Sequence, residues 1–149
     1  MENFGPEDLH KGRMEKPPFL YHGSLNGDIK VLEPREGHTP AEGVGKRIYA
    51  TQLPAWAAAH SWDWSSDEGI RLSIEDEDRV LLQVPRAHAE RLDVPVFIYR
   101  LPSGTFNLLP GGSGYTFDST EKVRTADVQK FNSVKEAVEH FGGKVVIIG

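Results

Sequence analysis

Two short stretches hold side chains that could do chemistry together. In Phe19-Leu20-Tyr21-His22-Gly23-Ser24, three apolar residues run into a histidine, a glycine and a serine. In Ile48-Tyr49-Ala50-Thr51, an apolar and an aromatic residue run into a small one and a threonine. The first reads as a buried strand ending in polar groups. Its glycine lets another group come close to the main chain, and His22 and Ser24 offer donors or acceptors at the same rim. Thr51 reads as a helix N-cap. Two ordinary strands with polar ends would give the same pattern.

Elements around these stretches must position them. Pro17-Pro18 imposes an extended approach to the first strand, from Phe19 to Tyr21 or His22. Asn26-Gly27-Asp28 signals a turn, and Pro34 to Lys46 reads as a loop of about a dozen residues. A helix is expected from Thr51 to about Asp63, with Thr51 or Gln52 capping it and Pro54 in its first turn. Ala55, Ala57, Ala58 and Ala59 are strong helix formers and would let that helix lie close on a sheet. Trp56 reads as core, with Trp62 and Trp64 either core or rim.

Further strands are expected at Gly69–Ile74, Val80–Val84 and Val96–Leu101. Glu75 to Asp78 forms an exposed hairpin tip, and Ala87 to Arg91 a turn of helix at most. Pro102-Ser103-Gly104 turns the chain so that Thr105–Leu109 returns as partner of Val96–Leu101. After the Pro110–Gly114 loop, Tyr115–Phe117 alternates as an edge or half-buried strand, and Val123–Phe131 as one more. A second helix opens at Ser133, where Ser133 and Glu136 fit a capping box. Val134, Ala137, Val138 and Phe141 make its apolar stripe, Gly142-Gly143 ends it, and Val145–Ile148 is a last strand.

The chain has 149 residues, a formal net charge of −5, 38% hydrophobic and 26% charged residues, and no cysteine. This fits one globular domain with a sizeable core: residues 1–16 as a loose arm, with one helical turn at Pro6–Leu9, and 17–149 as the domain. The negative charge argues against nucleic-acid binding driven by overall charge. Lack of cysteine excludes disulfides, thiolate metal sites and a cysteine nucleophile. With no apolar run near the roughly 20 residues that span a bilayer, and no apolar leader segment, a cytoplasmic protein without membrane partners is expected. The six histidines show no HExxH-type spacing, so no metal is expected. A G-x-S-x-G elbow, a P-loop and a Rossmann fingerprint are all missing.

Tyr21-His22-Gly23-Ser24, Leu32-Glu33-Pro34-Arg35, Ile48-Tyr49-Ala50-Thr51 and Ala57-Ala58-Ala59, in that order, resemble the ADP-ribosyltransferase superfamily. The nearest type is its His-Tyr-Glu branch, with the poly-ADP-ribose polymerases and diphtheria toxin, in a small bacterial or phage form. The match runs from Phe19 to Ala59 and continues weakly through Val96–Tyr99 to the C-terminus. The resemblance implies an α+β domain with a split, mostly antiparallel β core and a few flanking helices. It also implies NAD, or a related nucleotide, as substrate. The activity implied is transfer of ADP-ribose to an acceptor that the sequence does not identify, or hydrolysis of NAD. By the same resemblance His22 would hold the adenosine ribose. Gly23 would clasp the nicotinamide amide through its backbone with support from the Ser24 hydroxyl, and Tyr49 would stack on the nicotinamide ring. Tyr21 would point to the core. Arg35, His38, Lys46 and Arg47 become candidate phosphate contacts, against the alternative of a solvated charged loop.

Breaking the bond to nicotinamide passes through an oxocarbenium-like state that a nearby carboxylate stabilises. The glutamate the family places on a late strand has no clear counterpart here. Asp118 and Glu121 are the nearest carboxylates. NAD binding is therefore better supported than transfer, and two alternatives stay open: a non-catalytic nucleotide-binding or interaction module on the same fold, and an RNA 2′-phosphotransferase-like activity using Arg35 and Arg47. His22 and Tyr49 are expected on adjacent or near-adjacent strands, facing one cleft.

Overall fold

The computed structural model describes residues 16–35, 46–109 and 116–149. His10, the helical turn at 6–9, most of the arm, His38 and the 110–114 loop with Tyr115 lie outside the described residues. Among the described residues, eleven strands and two α-helices follow in chain order: β1 (Phe19–Ser24), β2 (Val31–Leu32), β3 (Ile48–Thr51), α1 (Pro54–Ala59), β4 (Arg71–Glu75), β5 (Arg79–Pro85), β6 (Val96–Pro102), β7 (Asn107–Leu108), β8 (Thr116–Ser119), β9 (Val123–Arg124), β10 (Asp127–Phe131), α2 (Val134–His140) and β11 (Lys144–Ile148). The class is α+β. A six-stranded sheet in the order β10-β6-β1-β3-β8-β7 pairs antiparallel throughout, with separate sheets β11-β5-β4 and β2-β9 beside it. The β11–β5 pair runs parallel.

Strand alternation gives the six-stranded sheet two apolar faces. On one, Val96 and Ile98 of β6 pack with Ala58 and Ala59 of α1, Val134, Ala137 and Val138 of α2, and Val80, Leu82 and Val84 of β5. On the other, Leu20, Ile48, Ala50, Tyr99, Leu101, Phe106 and Phe117 form a second core with Leu32 and Val123 from the β2–β9 pair. Tyr21 packs on the first core, as expected.

Several elements differ from their sequence signals. β1 does not stop at His22: β6 is long enough to pair it through Ser24, which lies opposite Phe97. α1 is shorter than expected. Thr51 belongs to β3, and Leu53, without a side-chain cap, precedes Pro54 at the helix start. The helix stops at Ala59 because side chains take its last carbonyls: Ser61 Oγ donates to Ala58 O and Trp64 Nε1 to Ala59 O. The chain then turns inward, and Trp62 is core, 5% exposed. β7 pairs with β8 and not with β6, since both sides of β6 are taken by β1 and β10. Val123–Phe131 splits into β9 and β10. Between them Thr125 N–H donates to Lys30 O and Ala126 N–H to Arg100 O, so the chain passes from β2 to the large sheet. At α2, Ser133 Oγ accepts from Glu136 N–H, but the Glu136 carboxylate reaches Asn132 N–H, completing only half of the capping box. Glu75–Asp78 caps the β4–β5 hairpin as expected.

Candidate functional site

The site is a seam in the large sheet between β1 and β3. Along β1 and β6 the register runs from Phe19↔Pro102 to Ser24↔Phe97. One step before it, Ser103 N–H donates to Pro18 O. Hydrogen-bonded and non-bonded pairs alternate in an antiparallel ladder, so Leu20, His22 and Ser24 direct their main-chain groups at β6. Tyr21 and Gly23 direct theirs at β3. Tyr21 meets Thr51 there, and the β1–β3 register ends at that single pair.

The histidine explains why it ends. A continued ladder would set Gly23 against Tyr49. Instead His22 Nδ1 lies 2.8 Å from the Tyr49 carbonyl oxygen. A carbonyl only accepts, so Nδ1 carries the proton and Nε2 of a neutral ring is left as an acceptor. The imidazole has taken the acceptor that a Gly23 amide would use, and the Gly23 N–H and C=O, on the β3 side of β1, have no partner in the β1–β3 register. Strand alternation sends His22 to the Leu20 face and Tyr49, between Ile48 and Ala50, to the opposite one, so the His22 ring meets Tyr49 only at its main-chain carbonyl and the two side chains leave opposite faces of the sheet instead of facing one cleft as expected. The His22 pKa is lowered, first because burial strips solvent from the ring and further by the positive charge of Arg35, against the opposing effect of the Tyr49 hydrogen bond.

Gly23 has a packing role as well. A Cβ there would lie 2.2 Å from Ala57 O and 2.8 Å from Ser61 Cβ. The missing side chain is what lets α1 lie against β1 and cover one side of the seam. Tyr49 leaves β3 on that same face, 36% exposed, so it is not packed away under α1. Ser24 Oγ accepts from Asn26 N–H and is tied into the turn that follows β1.

Asp118 is the cross-strand partner of Tyr49 on β8, which puts both side chains on one face. It is 5% exposed and forms an ion pair with Arg47, Nη1 to Oδ2, at 2.6 Å. Arg47 and Arg35 exchange main-chain hydrogen bonds of 2.7 and 3.0 Å. The structure therefore brings together His22, Gly23, Tyr49, Asp118, Arg35 and Arg47. Glu121 is left on the exposed turn after β8, its N–H bound to Ser119 Oγ, and Lys46 is exposed.

No family model, curated protein or solved structure matches this chain. Among the described residues, no group of three or more His, Cys, Asp or Glu is placed to hold a metal, and no helix is long and apolar enough to cross a membrane.

Sequence reading missed Tyr99. It is 1% exposed, and its hydroxyl donates to Asn26 O (2.7 Å) and accepts from Ile29 N–H (3.0 Å). It fixes the turn that leaves the site. Inside the apolar run Val96–Leu101 nothing sets Tyr99 apart, and only its pairing opposite His22 reveals the role.

Proposed function

We propose that the seam binds NAD in the manner of the ADP-ribosyltransferases, with the nicotinamide end at Gly23 and Tyr49. The observation that carries this reading is the interrupted ladder. A carboxamide needs one acceptor and one donor side by side, and the Gly23 N–H and C=O present the matching donor and acceptor at an edge the His22 ring holds open. The exposed Tyr49 ring lies on the covered face of the same seam and supplies a stacking surface. His22 Nε2 is an acceptor for a ribose hydroxyl, which favours a neutral ring. Arg35 and Arg47 meet across one main-chain bridge and serve the anionic middle of the ligand.

Asp118 is the carboxylate in position to face a ribose that becomes cationic, through its register with Tyr49. Its pairing with Arg47 favours binding over transfer as the better supported half of the proposal. That leaves the non-catalytic nucleotide-binding module as the second reading. Calorimetric titration with NAD and with nicotinamide tests the proposal. Binding of both is expected, with nicotinamide affinity lost in Tyr49→Ala. No heat from either ligand at millimolar concentration would overturn it. Turnover of NAD that disappears in Asp118→Ala would exclude the second reading.

A further inference from the structure

The Arg47–Asp118 pair sits beside Tyr49 and is incompletely satisfied. One Arg47 nitrogen bonds one Asp118 oxygen. Arg47 Nε is buried and has no hydrogen-bond partner among the described residues. The guanidinium thus makes one contact where a two-pronged one is possible and holds a buried, unused Nε–H donor, so an acceptor that draws Arg47 off Asp118 can satisfy both. Asp118 is the opposite case: a carboxylate 5% exposed whose charge is balanced by Arg47. If Arg47 leaves it, a buried negative charge remains that only another positive charge can stabilise.

We propose that Arg47 and Asp118 form an exchange pair, in which an anionic diphosphate recruits Arg47 and a cationic nicotinamide riboside takes its place beside Asp118. This rests on the dinucleotide reading above and adds to it a ligand requirement. The site calls for a zwitterion, negative in the middle and positive at the nicotinamide end. Oxidised NAD has both charges. Its reduced form has a neutral ring and leaves Asp118 uncompensated, as does ADP. The exchange involves no bond making or breaking: one ion pair is replaced by two, Arg47 with diphosphate and Asp118 with pyridinium. Arg35, held to Arg47 through the main chain, gives the diphosphate a second cation.

The consequence is opposite to that of an ordinary binding carboxylate. Removing the Asp118 charge frees Arg47, so Asp118→Asn should bind ADP roughly tenfold or more tighter than wild type. Arg47→Gln should weaken ADP by a similar factor, and wild type should prefer NAD over NADH. Calorimetry with ADP, NAD and NADH on the three proteins reads these effects. Equal ADP affinity in wild type and Asp118→Asn, or no ADP binding to either, would overturn the exchange. Should Asp118→Asn not fold, nuclear magnetic resonance on wild type decides. ADP should move the Arg47 Nε–H and the Asp118 carboxylate carbon together, and an unmoved pair refutes the proposal. Nicotinamide has no phosphate and does not involve Arg47. Its binding with a failed ADP pattern sinks the exchange alone, whereas loss of both nicotinamide and NAD binding sinks the dinucleotide reading.

Discussion

Gly23→Ala tests the construction of the seam most directly. The new Cβ would lie 2.2 Å from Ala57 O and 2.8 Å from Ser61 Cβ, where ordinary van der Waals contact begins near 3.4 Å. The shortfall against Ala57 is more than 1 Å, and the obstacle is main chain, so no rotamer change relieves it. Either α1 shifts off β1 or β1 bends. α1 also packs on α2 through buried alanines, so the shift opens the first core. Overpacking of this kind costs about 1–3 kcal/mol, which for a chain of this size lowers the thermal midpoint by roughly 3–12 °C. Thermal and urea unfolding measure it. Gly104→Ala is the control, since nothing lies within 4 Å of a Cβ there, and it should stay within about 0.5 kcal/mol of wild type. Gly23→Ala/Ser61→Gly should not recover the loss, because the Ala57 carbonyl remains. A Gly23→Ala midpoint equal to that of wild type would refute the close helix–strand contact and with it the geometry of the seam.

His22 gives a pH prediction. Its folded pKa lies below the ordinary 6.5, so between those values the unfolded chain binds more protons than the folded one, and stability falls as pH drops from 6.5 toward the folded pKa. Urea unfolding from pH 7.5 to 5 should show this slope in wild type and a shallower one in His22→Gln; identical slopes would contradict the assignment. NAD affinity should hold over that interval and fall only as the pH reaches the lowered folded pKa, where Nε2 takes a proton and ceases to accept. Tyr99→Phe leaves Asn26 O and Ile29 N–H without their partner and should cost about 1–3 kcal/mol, read as a lowered urea midpoint. A neutral Tyr99→Phe would mean that the turn after β1 is not held by that hydroxyl. Glu121→Gln, on its exposed turn, should leave NAD affinity and stability unchanged in the same assays, and a loss of affinity would move the carboxylate role away from Asp118.

How much was legible in the sequence follows from the range of the interactions. Local signals were sufficient where one element satisfies itself. The Ser133 cap, the apolar stripe of Val134, Ala137 and Val138 and the left-handed Gly142 (φ 88°) fix α2 from within. Short apolar runs rich in β-branched and aromatic residues likewise mark β5 and β6, and the acidic tip at Glu75–Asp78 marks the hairpin that joins β4 to β5. The candidates His22, Gly23, Tyr49, Asp118 and Arg35 were visible as residue types in a suggestive order. Their joint geometry was not. Whether the strand ends at His22 or runs on to Ser24 depends on the length of β6, nearly eighty residues later. That Thr105–Leu109 pairs with β8 depends on both flanks of β6 being occupied. That Asp118 and not Glu121 stands beside Tyr49 depends on the β3–β8 register, which the composition of neither strand encodes. The sequence by itself determined which residue types were available to a site and where the cores of α2, β5 and β6 would lie, because those choices rest on near neighbours along the chain. Only the tertiary structure decided that His22 would spend its proton on the Tyr49 carbonyl and so open the ladder, because a hydrogen bond across 27 positions exists only once both strands lie in one sheet.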